Sequence, residues 1–136
     1  MIHMPKTVIV VDDITFVRKT ISEILTEAHY EVVGEAADGK EAVDLYMKLR
    51  PDLITLDLVM PKVTGIEAAR QIIRQNSDAK IIMISAMGQE NLIVEAINAG
   101  VKDYILKPFT AQEILRSIDR VLTLDEHAHA SKSRTV

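Results

Sequence analysis

The sequence predicts an α/β protein, an open, doubly wound sheet of five parallel strands with five helices. Three observations lead there. Strand-like and helix-like segments alternate strictly along the 136 residues. The first, third and fourth strand segments are near-continuous Val/Ile/Leu runs, as expected of strands covered on both faces. Side-chain capping signals stand where several of the helices should start. Alternation of this kind, with right-handed crossovers, gives a sheet flanked by helices on either side.

The first strand reads TVIVV (7–11). In the helix after it, 14–28, Val17, Ile21, Ile24, Leu25 and Ala28 fall on one face, the stripe a helix needs to pack on a sheet. The second strand reads YEVVGEA (30–36), and Asp38 then precedes Glu41 by three residues, a capping box. DLITLD (52–57) is the third strand, and Thr64 with Glu67 repeats the capping spacing. The fourth strand is KIIMIS (80–85), and Gly100 is placed to end the following helix in a left-handed turn. DYILK (103–107) is the fifth strand. Thr110 and Glu113 open a last helix, 111–122, whose apolar face is Ile114, Leu115, Ile118, Val121 and Leu122. The polar end of the chain, with DEHAHASKSRTV, lacks apolar periodicity and is expected to be a mobile tail, 124–136.

Composition narrows the function classes. At 136 residues and 48% hydrophobic, the chain is expected to be one folded domain with a proper core. Its net charge of −4 lacks the basic surface of a nucleic-acid binder. The longest apolar runs are far short of a membrane span, and the N-terminus has no signal-peptide layout. With no cysteine, disulfide and thiolate chemistry are excluded. The expectation is a cytoplasmic protein that engages neither nucleic acid nor membrane.

Chemistry gathers where the apolar strands end. VIVV runs into Asp12 and Asp13, DLITL into Asp57, KIIMI into Ser85, and DYIL into Lys107 and Pro108. Ligands of open α/β sheets bind outside the carboxyl ends of the strands, at the point where strand order reverses. A strand order of 2-1-3-4-5 would make strands 1 and 3 neighbours there, with Asp12, Asp13 and Asp57 in one crevice. At about 5 Å and an effective dielectric near 20, each carboxylate pair costs roughly 3 kcal/mol. Lys107 supplies one compensating charge. A hard divalent cation is the natural remainder, and Mg²⁺ takes one or two carboxylates with waters and substrate phosphate. Taken singly, each residue has a plainer role: a lone Asp caps a helix, Ser85 belongs to a turn, Lys107 is a solvated surface lysine, and Pro108 is a stop signal. Their joint placement at one end of the sheet is what the plain roles leave unexplained.

The segments VVDD (10–13), DLVMPKVTG (57–65), ISA (84–86) and KPF (107–109), in this order and spacing, resemble the receiver domain of bacterial two-component response regulators. The resemblance spans residues 6–123 and implies the five-stranded flavodoxin-like, CheY-like fold with strand order 2-1-3-4-5. It implies that Asp57 is the phosphoacceptor and that Asp12, Asp13, Asp57 and the Val59 backbone carbonyl hold Mg²⁺. Ser85 would bond a phosphoryl oxygen and Lys107 would pair with the phosphate, the Lys107–Pro108 bond being cis. A carboxylate is an accepted nucleophile for such chemistry and, being ionised at pH 7 in its ordinary state, would need no general base. The donor would be a phosphohistidine on a histidine kinase. Phosphorylation would draw Ser85 toward the phosphate and turn Tyr104, which alone reads as a half-buried residue at a sheet edge, into the space vacated. That would bias a two-state surface made by helix 4, strand 5 and helix 5, roughly residues 90–122. Ile14, Val59 and Met87 put apolar side chains near the site, leaving the lifetime of the phosphorylated state open.

The resulting expectation is a stand-alone signalling phosphoacceptor rather than an enzyme. ISAMGQ (84–89) and the single-domain length are similar to the chemotaxis CheY subgroup, whose target is the flagellar motor switch. The alternative within the class is a phosphorelay shuttle to a histidine phosphotransfer protein. A small Asp-nucleophile phosphohydrolase would use Asp12 and normally a second Asp two residues on, where this chain has Ile14. A degenerate receiver serving as scaffold would not need the full set of Asp12, Asp13, Asp57, Ser85 and Lys107.

Overall fold

In the computed structural model the chain is described from residue 4 to residue 134, with side chains described to residue 124. Five strands and five helices alternate: β1 (Thr7–Val11), α1 (Thr15–Glu27), β2 (Glu31–Ala36), α2 (Gly39–Leu49), β3 (Leu53–Asp57), α3 (Gly65–Gln75), β4 (Ile81–Ser85), α4 (Glu90–Ala99), β5 (Asp103–Leu106) and α5 (Ala111–Arg134). All neighbouring strands are parallel, in the order β2-β1-β3-β4-β5. The predicted fold class and strand order are those observed, and each strand end lies within one residue of its expected place.

Why the apolar runs are continuous is plain from what covers the sheet. Every residue of β3 and β4 is buried. Ile9, Val11, Ile54, Leu56, Ile81 and Met83 face one core, closed by Ala42 and Tyr46 of α2, Ile66 and Ile72 of α3 and Ala96 of α4. Val8, Val10, Leu53, Ile82 and Ile84 face the other, closed by Ile21 and Leu25 of α1 and Ile114, Ile118 and Val121 of α5. Adjacent residues point to opposite faces, so a strand with helices on both sides has no polar face to show. The edge strand β2 is only partly buried and carries Glu31 and Glu35, as edge strands tolerate. Its register against β1 shifts between Val8, opposite Val32, and Ile9, opposite Gly34.

The helix signals are used as expected. Asp38 accepts the Glu41 N–H (2.8 Å) and Thr64 Oγ1 the Glu67 N–H (3.2 Å). Thr110 and Glu113 cap each other, Thr110 Oγ1 accepting from Glu113 N at 3.1 Å and Glu113 Oε1 from Thr110 N at 3.2 Å. Gly100 ends α4 with φ +115°. One boundary differs. The sequence reading ended the last helix at 122, whereas the backbone of α5 is helical to Arg134. No glycine or proline follows Leu122 to stop it, and loss of an apolar stripe removes packing without breaking a helix. Of the expected tail, residues 135 and 136, and the side chains of 125–136 including His127 and His129, lie outside the described residues. No helix among the described residues is long and apolar enough to cross a membrane.

Candidate functional site

The sheet brings the predicted residues to one rim. Asp57 is the last residue of β3 and pairs in register with Ile84, so Ser85 sits one residue further along the adjacent strand. Lys107 follows β5 directly, and its N–H donates to the Ser85 carbonyl at 2.7 Å. Across the other side of β3 lies β1, with Leu56 opposite Val11, and Asp12 and Asp13 extend from its end. One oxygen from each of Asp12, Asp13 and Asp57 lies within 4.8 Å of the others. Asp12 is fully buried and Asp57 is 7% exposed, while Asp13 faces solvent.

Local structure fixes these side chains. Asp12 donates its N–H to the Ala36 carbonyl at 3.1 Å and accepts the Ile14 N–H on Oδ1 at 2.9 Å. It is not the cap residue of α1, a place taken by Ile14 in extended conformation without a side-chain hydrogen bond. Asp57 is held by the packing beneath it and by Gly65, whose N–H donates to the Leu58 carbonyl at 3.0 Å. A Cβ on Gly65 would overlap the Asp57 carbonyl oxygen, so only glycine lets α3 start this close to the end of β3. The Lys107–Pro108 peptide is cis.

Lys107 Nζ lies 3.0 Å from Asp12 Oδ2 and 3.5 Å from Asp57 Oδ1. Burial alone would lower the lysine's pKa, but its two carboxylate contacts outweigh that and hold it above its ordinary value. One cation among three carboxylates is not enough. Burial first, then the charge of Asp12, push the Asp57 pKa up to about 7, with Asp13 adding to the rise and Lys107 only partly opposing it. Without a bound cation the crevice thus works against the ionised form of Asp57, a pull toward the protonated acid that the ordinary carboxylate value does not show. Residue counting captures the repulsion and misses the desolvation.

Two polar features fit a cation and a phosphoryl group. The donor set is three carboxylates, the hard oxygen ligands that Mg²⁺ prefers, and its excess negative charge is uncompensated. Ser85 Oγ is buried and has no hydrogen-bond partner, an unsatisfied state that costs stability unless something else uses it. Close after Asp13, Asp57 and Ser85 in the chain, Ile14, Val59 and Met87 expose their side chains by 50%, 52% and 78%. Tyr104 is half-exposed and lies away from the acids. With Ile93, Val94, Ile97 and Leu106 it lines a cleft of about 340 Å³ between α4 and β5.

Arg18 escaped the sequence reading. Its guanidinium donates from Nη1 to the Asp12 carbonyl oxygen at 2.8 Å and from Nε to Glu35 Oε1 at 3.2 Å. No motif announces it, because one partner is main chain and the other lies on a different strand. The only sequence signal is its position one helical turn into α1, just after the acidic pair.

Comparison with known proteins agrees with this geometry. Residues 8–119 match the response regulator receiver domain family. The chain is 46% identical over 118 residues to the chemotaxis protein CheY of Thermotoga maritima, covering 87% of this chain and 98% of that protein. It is 51% identical over 115 residues to the protein CcdB of Bacillus subtilis, with 85% and 96% covered. A chain in the crystal structure of the CheX–CheY–BeF₃–Mg²⁺ complex from Borrelia burgdorferi superposes with a TM-score of 0.84 at 36% identity, covering 87% of this chain and 90% of that one. The fold, the acidic rim and these likenesses, CheY proteins among them, together make the chain a member of the response regulator receiver domain family.

Proposed function

We propose that this receiver takes a phosphoryl group from a kinase phosphohistidine onto Asp57 and signals by changing the surface formed by α4, β5 and α5. The observation that carries the reading is the convergence of Asp12, Asp13 and Asp57 within 4.8 Å, with Lys107 bridging two of them. Asp12, Asp13, Asp57 and the Val59 carbonyl would hold Mg²⁺, which when bound would neutralise charge on the carboxylates and on the incoming phosphoryl oxygens. A carboxylate oxygen of Asp57 then forms the new O–P bond as the P–N bond to the donor imidazole breaks. Phosphoryl transfer asks mainly for positioning and charge neutralisation. Here β3 supplies the first, and Lys107 contributes to the second as a compact charge. Ser85, whose hydroxyl has no partner in this state, is available to donate to a phosphoryl oxygen.

The output side of the proposal rests on the exposed apolar side chains of Leu92, Val94, Ile97, Tyr104 and Leu106. Phosphate would recruit Ser85, Tyr104 would turn inward, and the cleft between α4 and β5 would change shape. Chemotaxis, with the flagellar motor switch as target, is the favoured setting, supported by likeness to a CheY protein matched over almost its whole length. A cytoplasmic location belongs to the same reading.

Acid-labile labelling with acetyl phosphate tests the chemistry. Asp57→Asn is expected to abolish the label; if Asp12→Asn removes it while Asp57→Asn retains it, Asp12 is the nucleophile and the receiver mechanism fails. Binding of the beryllofluoride-treated protein to motor-switch peptide tests the output, and no gain in affinity over untreated protein would count against the chemotaxis assignment.

A further inference from the structure

Arg18 borders the crevice, yet the phosphoryl-transfer reading gives it no task. Its side chain is only 15% exposed, and its two hydrogen bonds run in different directions. Glu35, the acid it pairs with, lies on β2 opposite Val10 of β1, and the second oxygen of Glu35 is bound by Lys19 Nζ at 3.1 Å. The guanidinium is thus anchored on the neighbouring strand, and its charge is answered there rather than in the crevice. On the other side it holds the Asp12 carbonyl. The N–H of Asp12 is already hydrogen-bonded to Ala36 and Oδ1 to Ile14, while Oδ2 has only the ion-pair contact with Lys107 at 3.0 Å. The carbonyl oxygen is the remaining polar atom of that residue, and Arg18 takes it at 2.8 Å. Because the peptide unit is planar, fixing that carbonyl also fixes the direction in which the chain enters Asp13, the solvent-facing member of the acidic trio.

Resting on the receiver reading above, we infer that Arg18 is a positioning residue for the divalent-cation site: anchored by Glu35, it sets the Asp12–Asp13 peptide so that both carboxylates meet Asp57. A pure field effect has the opposite sign. A positive group beside the acids repels a divalent ion, so its removal would tighten cation binding. Positioning predicts that removal loosens it.

The test is a Mg²⁺ titration of the full chain followed by the amide NMR shifts of Asp13, Ile14 and Asp57. It is run on wild type, Arg18→Met, and Arg18→Met combined with Glu35→Gln, which removes one charge of each sign. Both variants are expected to bind Mg²⁺ about tenfold more weakly, the scale on which partners behind metal ligands act, and to show a displaced Asp13 amide before any metal is added. Arg18→Lys keeps the charge but lacks the fork needed to hold the carbonyl and Glu35 together, so it should fall short of wild-type affinity. Unfolding midpoints in EDTA confirm that each variant is folded. A lowered midpoint with unchanged Mg²⁺ affinity would mark Arg18 as a plain stabilising ion pair and overturn the inference. Tighter Mg²⁺ binding, or wild-type affinity in Arg18→Lys, would overturn it equally. Those results leave the receiver reading standing, whereas a wild type that binds no Mg²⁺ removes that reading and this inference with it.

Discussion

Replacing Asp57 with Asn should make the metal-free protein more stable, although it destroys the residue on which the proposed function depends. In the folded crevice the Asp57 pKa is raised from 3.8 to about 7 by burial and by the charge of Asp12. The folded state therefore holds this proton more tightly than the unfolded chain does. Its contribution favours folding fully below about pH 4 and is lost progressively as pH rises to about 7. A displacement of about three pH units corresponds to about 4 kcal/mol. The attraction of Lys107 is already contained in that net shift, and Asn still buries a polar group, so a net gain of about 2–3 kcal/mol at pH 8 is the working figure. Urea denaturation in EDTA at pH 5, 6, 7 and 8 measures it. The gap between variant and wild type should widen from pH 5 to pH 8. Adding Mg²⁺ should close it by stabilising wild type alone. Parallel pH profiles, or a variant less stable than wild type at pH 8, would refute the argument that the acids are crowded.

Other perturbations probe separate parts of the rim. Asp13→Lys should also raise the metal-free unfolding midpoint, since it removes one repelling charge and supplies an attracting one, and should abolish the stabilisation that Mg²⁺ gives wild type by linkage. Ser85→Ala should change metal-free stability by less than about 1 kcal/mol, because its hydroxyl has no hydrogen bond to lose. The same variant should bind beryllofluoride more weakly in a fluorescence or NMR titration. Gly65→Ala should lower stability by more than about 3 kcal/mol in thermal denaturation, because its new methyl group meets main-chain oxygen rather than a yielding side chain.

What the sequence disclosed and what it withheld divide along a physical line. Strands β3 and β4 were legible because burial on both faces leaves a local mark, an unbroken apolar run. The starts of α2, α3 and α5 were legible because each cap and its partner are three residues apart. The acidic rim was legible because strand ends are where composition changes abruptly. The register shift in β2 was not, since pairing with β1 depends on a distant segment. Nor was the continuation of α5, because an absent apolar stripe says that a helix lacks a packing partner, not that it stops. The raised pKa of Asp57 needed the actual depth of burial. Arg18 needed coordinates, because an arginine that binds a main-chain carbonyl and an acid seventeen positions away looks in sequence like any other surface arginine.

The proposed reactive groups hang from consecutive rungs of one hydrogen-bonded sheet: Asp57 beside Ile84, Ser85 beside Leu106, and Lys107 tied to the Ser85 carbonyl. Their spacing is therefore a property of the sheet, close to the fixed interval between neighbouring strands, and owes little to the outer helices. Mutations that redecorate α4 or α5 for a new listener leave that ruler untouched. Under the proposed function, such a molecule can change whom it addresses while keeping the same trigger.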